Sequence, residues 1–372
     1  MTSFANARLV LPEEIREGGL TVENGVITQL EAADGHDCEG DLLMPGMIDL
    51  HTDNLERQAQ PRSSARWPSR SALLIHDAQC VAAGITTVFD ALCLGDIGFE
   101  KERNQTFHDG YRDLSEMQPS GALKAEHFLH LRCELPAAEM AAMLADVIGH
   151  PLVRLISIMD HSPGIGGQYK DAARYRRMRA AEGFGEDEIE TMILELTASR
   201  QAYYHSNRDF VLARASAHGV PIASHDDHSE TDILRNEADG ISIAEFPVSL
   251  AAAREAKLRG MRVIAGAPNI VRGGSHSGNV AVMDLVRERL LDALASDYVP
   301  ASMLEAAMSI ATQGCMSLPG ALALVTSGPA DIARLHDRGR LVPGQRGDLV
   351  QLRMYEGFPV IRSVWREGVR IG

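Results

Sequence analysis

Eight apolar runs, each ending in polar residues and separated from the next by helix-like sequence, constrain this chain most strongly. The runs are rich in Val, Ile and Leu, as expected of strands buried on both faces. Helix-like segments such as SALLIHDAQCVAAG and LAAAREAKLRG close with a Gly, where helices commonly end. Repeated strand, helix and Gly predicts a parallel barrel or a doubly wound sheet. The runs are LLMPGMIDLHTDN, GITTVFDALCLGD, HFLHLRCELP, VRLISIMDHSPG, VPIASHDD, ISIAEFP, RVIAGAPNIVRGG and LASDYVP.

The length of this repeating region favours the barrel. From Met47 to Pro300 it covers about 250 residues, the size typical of a (β/α)8 barrel. The predicted fold class is therefore α/β, a (β/α)8 TIM-like barrel with a small β-sandwich built from both chain ends, where short β-like pieces occur. The predicted division is 1–46 plus 335–372 for the sandwich and 47–334 for the barrel, with a helical insertion near 169–219.

Composition argues against several classes of protein. The 372 residues carry a formal net charge of −15, which argues against the basic surface of a nucleic-acid binder. No apolar stretch approaches the length of a membrane span, and no signal peptide is evident, so we expect a cytoplasmic protein. The five cysteines are scattered and never form C-x-x-C, so neither disulfides nor a cysteine-rich zinc site is indicated. The sequence leaves a homodimer open.

Metal-ligating residue types recur where the predicted strands end. His51 and Asp53 close the first strand two residues apart, so both side chains can enter the mouth of the barrel. Three imidazoles and three carboxylates converging there would need cations, and they suit Zn²⁺ or Mn²⁺. We expect two divalent metal ions bridged by Glu134, with Asp297 accepting a proton from the attacking water. The predicted metal ligands are His51, Asp53, Glu134, His161, His225 and Asp297.

Each assignment has a structural alternative. A single histidine on a barrel strand can be a hydrogen-bonded core residue, and Glu134 can form an ion pair with Arg132. Asp226 and Asp227 either orient histidines or cap the following helix. The histidines interpreted as structural are His76, His127, His130, His205 and His228.

The loop after the seventh strand, PNIVRGGSHSGN, is a candidate anion site. Its small residues free backbone N–H groups for an anion, and Arg272 offers a planar fork for phosphate oxygens. His276 and Asn279 are further candidates for substrate binding in the same loop. The alternative is that the glycines only turn the chain.

Four arginines follow the first strand in an otherwise acidic protein, and they form a second candidate surface for an anionic substrate. Arg62 is the predicted contact among Arg57, Arg62, Arg66 and Arg70, and Lys170 is a weaker candidate of the same kind. The alternative is a solvated loop.

The phrase MPGMIDLHTDN resembles the first-strand signature of the amidohydrolase superfamily, and the tail RGRLVPGQRGDLVQL resembles its last sandwich strand. The superfamily usually carries His-x-His on strand 1, where this chain has His51-Thr52-Asp53. Many relatives use a carboxylated lysine where Glu134 stands. The ordered phrases LHTDNLE, HLRCELP, MDHSPG, ASHDD, GAPNIVRGGSHSGN and SDYVPAS resemble the branch that belongs to the carbon–phosphorus lyase pathway.

This resemblance implies a binuclear metal hydrolase that converts α-D-ribose 1-methylphosphonate 5-triphosphate to the 5-phosphate and pyrophosphate in phosphonate catabolism. The implied partner is thus a small anionic phosphorylated ribose. The alternatives are a C–N hydrolase of the superfamily, such as a deaminase or cyclic amidase, and a barrel that has lost catalysis and serves as a scaffold.

Overall fold

The computed structural model describes residues 1–62, 65–97, 103–165, 171–275 and 278–372, which form two eight-stranded sheets and the helices around them. The strands are β1 (Thr2–Val10), β2 (Ile15–Glu23), β3 (Val26–Gln29), β4 (His36–Asp37), β5 (Leu42–Pro45), β6 (Met47–Thr52), β7 (Ile85–Leu94), β8 (Glu126–Glu134), β9 (Val153–Met159), β10 (Ile222–His225), β11 (Ile243–Glu245), β12 (Arg262–Gly266), β13 (Ala293–Ala295), β14 (Leu349–Tyr355), β15 (Phe358–Arg366) and β16 (Val369–Arg370).

Helices follow most of the strands. They are α1 (Asn54–Ala59), α2 (Ser69–Ala82), α3 (Arg103–Ser120), α4 (Met140–Val147), α5 (Ala172–Ala181), α6 (Glu186–His218), α7 (Glu230–Ala238), α8 (Leu250–Leu258), α9 (Ala267–Val271), α10 (Val282–Arg287), α11 (Ser302–Thr312), α12 (Leu318–Ala323) and α13 (Ser327–Ile332). No helix in the described ranges is both long and apolar enough to cross a bilayer.

Strands β6 to β13 form the predicted parallel barrel, each hydrogen-bonded to the next in chain order. The first and last strands meet at the mouth. There the Asp53 N–H donates to the Asp297 carbonyl at 2.6 Å, and the Asp297 N–H donates to the His51 carbonyl at 3.0 Å. The two ends that were predicted to carry ligands are thus joined directly by backbone bonds. The (β/α)8 fold class is confirmed.

The barrel interior changes from apolar to polar toward the carboxyl ends of the strands. Alternate residues of β8 show the change, because Phe128 packs in an apolar core with Ile48 and Leu155 while Arg132 lines the cavity at the mouth. The packed end holds the strands in place, and the polar end is left for chemistry.

Strands from both chain ends combine into one mainly antiparallel sheet, in the order β16-β15-β14-β5-β1-β2-β3 with β4 beside β1. The sheet curls on itself, because Trp365 on β15 packs edge-on against Phe4 on β1 with ring centres 4.9 Å apart. Leu9, Leu20 and Leu349 fill the same core. The small sandwich from both ends is confirmed, and the residue bounds of the predicted division stay a prediction.

The segment between β9 and β10 holds α5 and the 33-residue α6, which ends at Gly219 with a left-handed φ of 67°. After β10, α7 begins at Ser229, whose hydroxyl accepts from the Asp232 N–H. The alternative that Asp226 or Asp227 caps this helix is therefore wrong. Asp227 instead accepts from Asn236 at 2.7 Å and from the Ser224 hydroxyl.

Candidate metal centre at the barrel mouth

A cavity of about 410 Å³ lies at the carboxyl ends of the barrel strands. Its lining brings together five of the six predicted metal ligands, from strands that are far apart in sequence. They are His51, Asp53, His161, His225 and Asp297.

His51, Asp53 and Asp297 offer ligand atoms that all lie within 4.8 Å of one another. His51 Nε2 is 3.5 Å from Asp53 Oδ1. Burial and the neighbouring charge of Asp53 raise the pKa of Asp297 to about 7. Burial also opposes the imidazolium of His51, but the charges of Glu245 and Asp53 outweigh it and raise the pKa of His51 to about 10. These carboxylates therefore favour positive charge between them.

His161, His225 and Asp226 form the second group of ligand atoms within 4.8 Å of one another. His225 Nε2 is 4.0 Å from Asp226 Oδ1. The backbone of Asp226 is left-handed, with φ 57°, and so is that of Asp297. Left-handed backbone is rare for residues other than glycine and is concentrated at functional sites.

Two buried glutamates lie beside the Nδ1 atoms of His51, His161 and His225. Glu134 accepts from His161 Nδ1 at 2.5 Å and from its backbone N–H at 2.9 Å. Glu245 accepts from His225 Nδ1 at 2.8 Å, and its other oxygen lies 3.0 Å from His51 Nδ1. A carboxylate on one ring nitrogen fixes the tautomer and leaves the other nitrogen for a metal.

The position of Glu134 bears on two expectations. The proposed ion pair with Arg132 is wrong, because Arg132 pairs with Asp53 at 2.6 Å while Glu134 pairs with His161. Glu134 belongs to none of the groups of clustered ligand atoms found among the described residues. Its role as a bridging ligand stays a prediction.

The donor atoms at the mouth fit divalent metals. Within the described part of the chain, both ring nitrogens of His51 and the Oε1 atom of Glu245 are buried without a hydrogen-bond partner. A bound cation would satisfy imidazole nitrogens of this kind and would offset the burial and the repulsion by Asp53 that together raise the pKa of Asp297. We call this set the mouth cluster; it consists of His51, Asp53, His161, His225, Asp226 and Asp297.

The predicted substrate-binding residues have different positions. Arg272 and Asn279 line the cavity, and Arg272 Nη1 donates to the Tyr298 hydroxyl at 3.2 Å. Arg62 is exposed and lies outside the described lining. Lys170 and His276 lie outside the described residues. The roles of all five stay predictions.

The other arginines after the first strand reach other partners. Arg66 donates to Asp109 at 2.8 Å, and Arg70 pairs with Glu116 on the same helix, α3. Arg57 donates to the Tyr298 carbonyl at 2.6 Å, beside the cavity.

Sequence reasoning missed Glu245 and Arg132. Glu245 ends the sixth barrel strand, so the rule that identified His225 on the fifth strand applies to it equally. Arg132 is two residues before Glu134 on β8 and shares its inward face, by the same period of two that paired His51 with Asp53. Both signals were present in the sequence.

A second cluster of buried imidazoles and carboxylates lies between α2, β7 and β8. Asp90 accepts from His76 Nε2 at 2.7 Å and from His127 Nδ1 at 2.8 Å. The other ring nitrogen of His127 lies 3.2 Å from Asp77 Oδ1. We call His76, Asp77, Asp90 and His127 the wall cluster. The interpretation of His76 and His127 as structural histidines agrees with these contacts.

Comparison with known proteins gives one relative that spans the chain. It is alpha-D-ribose 1-methylphosphonate 5-triphosphate diphosphatase of Escherichia coli (strain K12), with 40% identity over 374 aligned residues that cover 98% of this chain and 99% of the relative. An adenine deaminase of Deinococcus radiodurans is 34% identical over 110 residues, covering 27% of this chain and 20% of its own. No family model matches.

Solved structures share the fold at low sequence identity. N-isopropylammelide isopropylaminohydrolase from Burkholderia multivorans superposes with a TM-score of 0.65 at 18% identity, covering 100% of this chain and 98% of its own. A 5-methylcytosine deaminase from Klebsiella pneumoniae gives 0.64 at 14% identity, with the same coverage. At these identities the likeness concerns the fold.

Proposed function

The chain belongs to the α-D-ribose 1-methylphosphonate 5-triphosphate diphosphatase family of the amidohydrolase superfamily, and we propose that it catalyses the reaction in that name. It is a metal-dependent hydrolase acting on a phosphoanhydride bond. Its substrate is a small phosphorylated ribose, and its products are the 5-phosphate and pyrophosphate. The observation that carries this proposal is the 40% identity over 98% of the chain.

The reaction consumes one water. The water oxygen bonds to the α-phosphorus, the bond from that phosphorus to the oxygen bridging it to the β-phosphorus breaks, and pyrophosphate leaves with the electron pair. Asp297 takes the proton that the attacking water loses. Its position supports this role, because its carboxylate lines the cavity beside His51 and Asp53.

The proposed cofactor is two divalent ions, Zn²⁺ or Mn²⁺. The residues proposed to hold them are His51, Asp53, Glu134, His161, His225 and Asp297. Such ions supply Lewis-acid polarisation of phosphoryl oxygens and lower the pKa of a bound water. Asp226 is added to this ligand set, because its carboxylate lies in one group with His161 and His225.

On the substrate side, Arg272 and Asn279 are proposed to contact phosphate oxygens from the rim of the cavity. Arginine suits this role because its planar fork matches two oxygens at once. Contacts from Arg62, Lys170 and His276, a cytoplasmic location and a homodimer remain predictions.

The test uses purified chain loaded with Zn²⁺ or Mn²⁺ and the ribose 5-triphosphate, and it measures released pyrophosphate. We expect pyrophosphate and the 5-phosphate in equal amounts, without further release of inorganic phosphate. Ammonia release from a cyclic amidine, or ring opening of a cyclic amide, with no pyrophosphate from the triphosphate, would support the C–N hydrolase alternative. Loaded protein inactive toward both would support the scaffold.

A further inference from the structure

Arg132 carries a positive charge deep in the barrel mouth, where metal-ligating groups converge. Its side chain is only 7% exposed, and it lines the main cavity together with His51, Asp53 and Asp297. It lies at the inner end of the cavity, on strand β8 of the barrel, whereas Arg272 is exposed at the rim.

The guanidinium of Arg132 is incompletely partnered. Among the described residues, its Nη1 donates to Asp53 Oδ1 at 2.6 Å, its Nη2 has no hydrogen-bond partner, and its Nε is buried without one. A guanidinium has five N–H donors, and leaving buried donors unmatched costs free energy. This arginine therefore has donor capacity that the folded chain does not use.

Buried arginines elsewhere in the chain are bonded more fully. Arg208 donates through Nε and Nη2 to Asp239 and through Nη2 to Asn236. Arg338 donates to Asp337 through two nitrogens, and its Nη1 also contacts Glu126. Arg346 also has a buried Nε without a partner among the described residues, but of these four arginines only Arg132 lines the cavity at the mouth.

The charge of the site indicates which ligand could accept hydrogen bonds from the unused N–H groups of Arg132. A cation beside a set of metal ligands opposes metal binding through repulsion. Asp53 pairs with this cation but also faces His51, and the charges of Glu56 and Glu245 act on it from farther away. A neutral amide substrate offers nothing to balance such a charge. A polyphosphate brings several negative charges and planar pairs of oxygens that match the guanidinium fork.

We propose that Arg132 is a catalytic residue that donates the Nη N–H groups not used by Asp53 to phosphoryl oxygens of the bound triphosphate and of the leaving pyrophosphate. In this role Asp53 holds the guanidinium in place from one side, and the substrate occupies the other. Arg132 thereby selects a polyanion over the uncharged substrates of C–N hydrolases. The inference rests on the proposed function and adds the residue that determines specificity.

The test compares wild type, Arg132→Gln and Arg132→Lys, each loaded with Mn²⁺, with Arg254→Gln as a control. Arg254 lies on α8 and pairs with Glu288 through an exposed bidentate contact, so its loss removes an arginine away from the mouth. We expect Arg132→Gln to lower kcat/KM on the triphosphate about 100-fold, the loss typical of removing one donor to transition-state charge. We also expect pyrophosphate to bind it at least about 10-fold more weakly by calorimetry, with unchanged metal content.

The lysine variant keeps the charge without the fork, so its pyrophosphate affinity should lie between those of wild type and the glutamine variant. The lysine variant also keeps the test decisive if Arg132→Gln does not fold. In that case, a pyrophosphate affinity of Arg132→Lys equal to that of wild type would overturn the proposal. Equal pyrophosphate affinity in Arg132→Gln and wild type would overturn it. Loss of metal from Arg132→Gln would also overturn the proposal, because Arg132 would then serve to position the metal ligand Asp53.

Calorimetry keeps the two proposals distinguishable. A wild type that binds pyrophosphate but does not hydrolyse the triphosphate would contradict the proposed function and leave the role of Arg132 open to the same comparison. If wild type hydrolyses the triphosphate and Arg132→Gln does so at the same rate, only the role of Arg132 is contradicted.

Discussion

The mouth cluster and the wall cluster contain the same residue types and differ in how their polar atoms are satisfied. In the wall cluster, Asp90 receives hydrogen bonds from His76 and His127, and His127 also contacts Asp77. In the mouth cluster, both ring nitrogens of His51 lack a partner in hydrogen-bond geometry. Among the described residues, the first arrangement is fully hydrogen-bonded, whereas the second leaves ring nitrogens that a metal ion could use.

Solvent access separates the two clusters as well. The wall cluster is sealed between α2 and the barrel, with His76, Asp90 and His127 fully buried. The mouth cluster lines a cavity of about 410 Å³. Buried imidazoles and carboxylates therefore indicate a metal site only where partners are missing and a ligand can enter.

Asp297→Asn should abolish most of the catalysis while leaving the fold intact. We expect pyrophosphate release to fall about 1000-fold, equivalent to about 4 kcal/mol, because an amide cannot accept the proton of the attacking water. Steady-state kinetics measures the rate, and thermal unfolding checks the fold. A rate within tenfold of wild type would remove Asp297 from the proton transfer.

His127→Asn should destabilise the chain and leave its chemistry alone. The substitution breaks contacts to Asp90 and Asp77, and removing one partner of a buried charged pair costs about 3 kcal/mol or more. Denaturant unfolding measures the loss. We expect unchanged metal content and unchanged activity per folded molecule; reduced metal content would contradict the separation of the two clusters.

Glu245→Gln should weaken metal binding, because a neutral amide cannot both accept from His225 and place a negative charge 3.0 Å from His51 Nδ1, as the carboxylate does. We expect metal affinity to fall about 10- to 100-fold, as is typical when such a supporting carboxylate is lost. Titration of apo protein with Co²⁺, followed by its visible absorption, measures the affinity. Glu288→Gln is the control, because Glu288 pairs with Arg254 on α8, away from the cavity, and its loss should leave metal affinity unchanged.

Stability should fall at alkaline pH because of the wall cluster. Burial opposes the charged form of His127, but Asp90 and Asp77 raise its pKa to about 9. Because this pKa lies above the ordinary value of about 6.5, the stabilisation is complete below that value and is lost as pH rises through about 9. The melting temperature of wild type should drop over this range by a few degrees more than that of His127→Asn. Equal pH dependence would show that His127 carries no charge there.

The sequence contained enough to predict the barrel and much of the site. Continuous apolar runs identified all eight barrel strands, and the rule that barrel sites lie at strand ends placed His51, His225 and Asp297 at one cavity. The rule depends only on strand direction, so it works without knowledge of packing.

Partner choice could not be predicted in the same way. Whether Glu134 meets Arg132 or His161 depends on side-chain positions from adjacent strands, which a single sequence does not give. Asp226 was considered as a helix cap, and only the backbone turn at φ 57° brings it into the cavity. The sequence therefore predicted where the strands end and which side chains share a face, whereas the hydrogen-bond partners required the structure.

Metal content and activity, measured on the same samples, show whether hydrolysis depends on metal bound at the mouth cluster. Chelator-treated protein is reloaded stepwise with Zn²⁺ or Mn²⁺, and bound metal and pyrophosphate release are recorded at each step. We expect chelation to abolish pyrophosphate release and activity to return as metal binds, up to two ions per chain. His127→Asn should behave like wild type. Undiminished activity in metal-free protein, or a failure of His127→Asn to rebind metal, would contradict a metal centre at the mouth cluster.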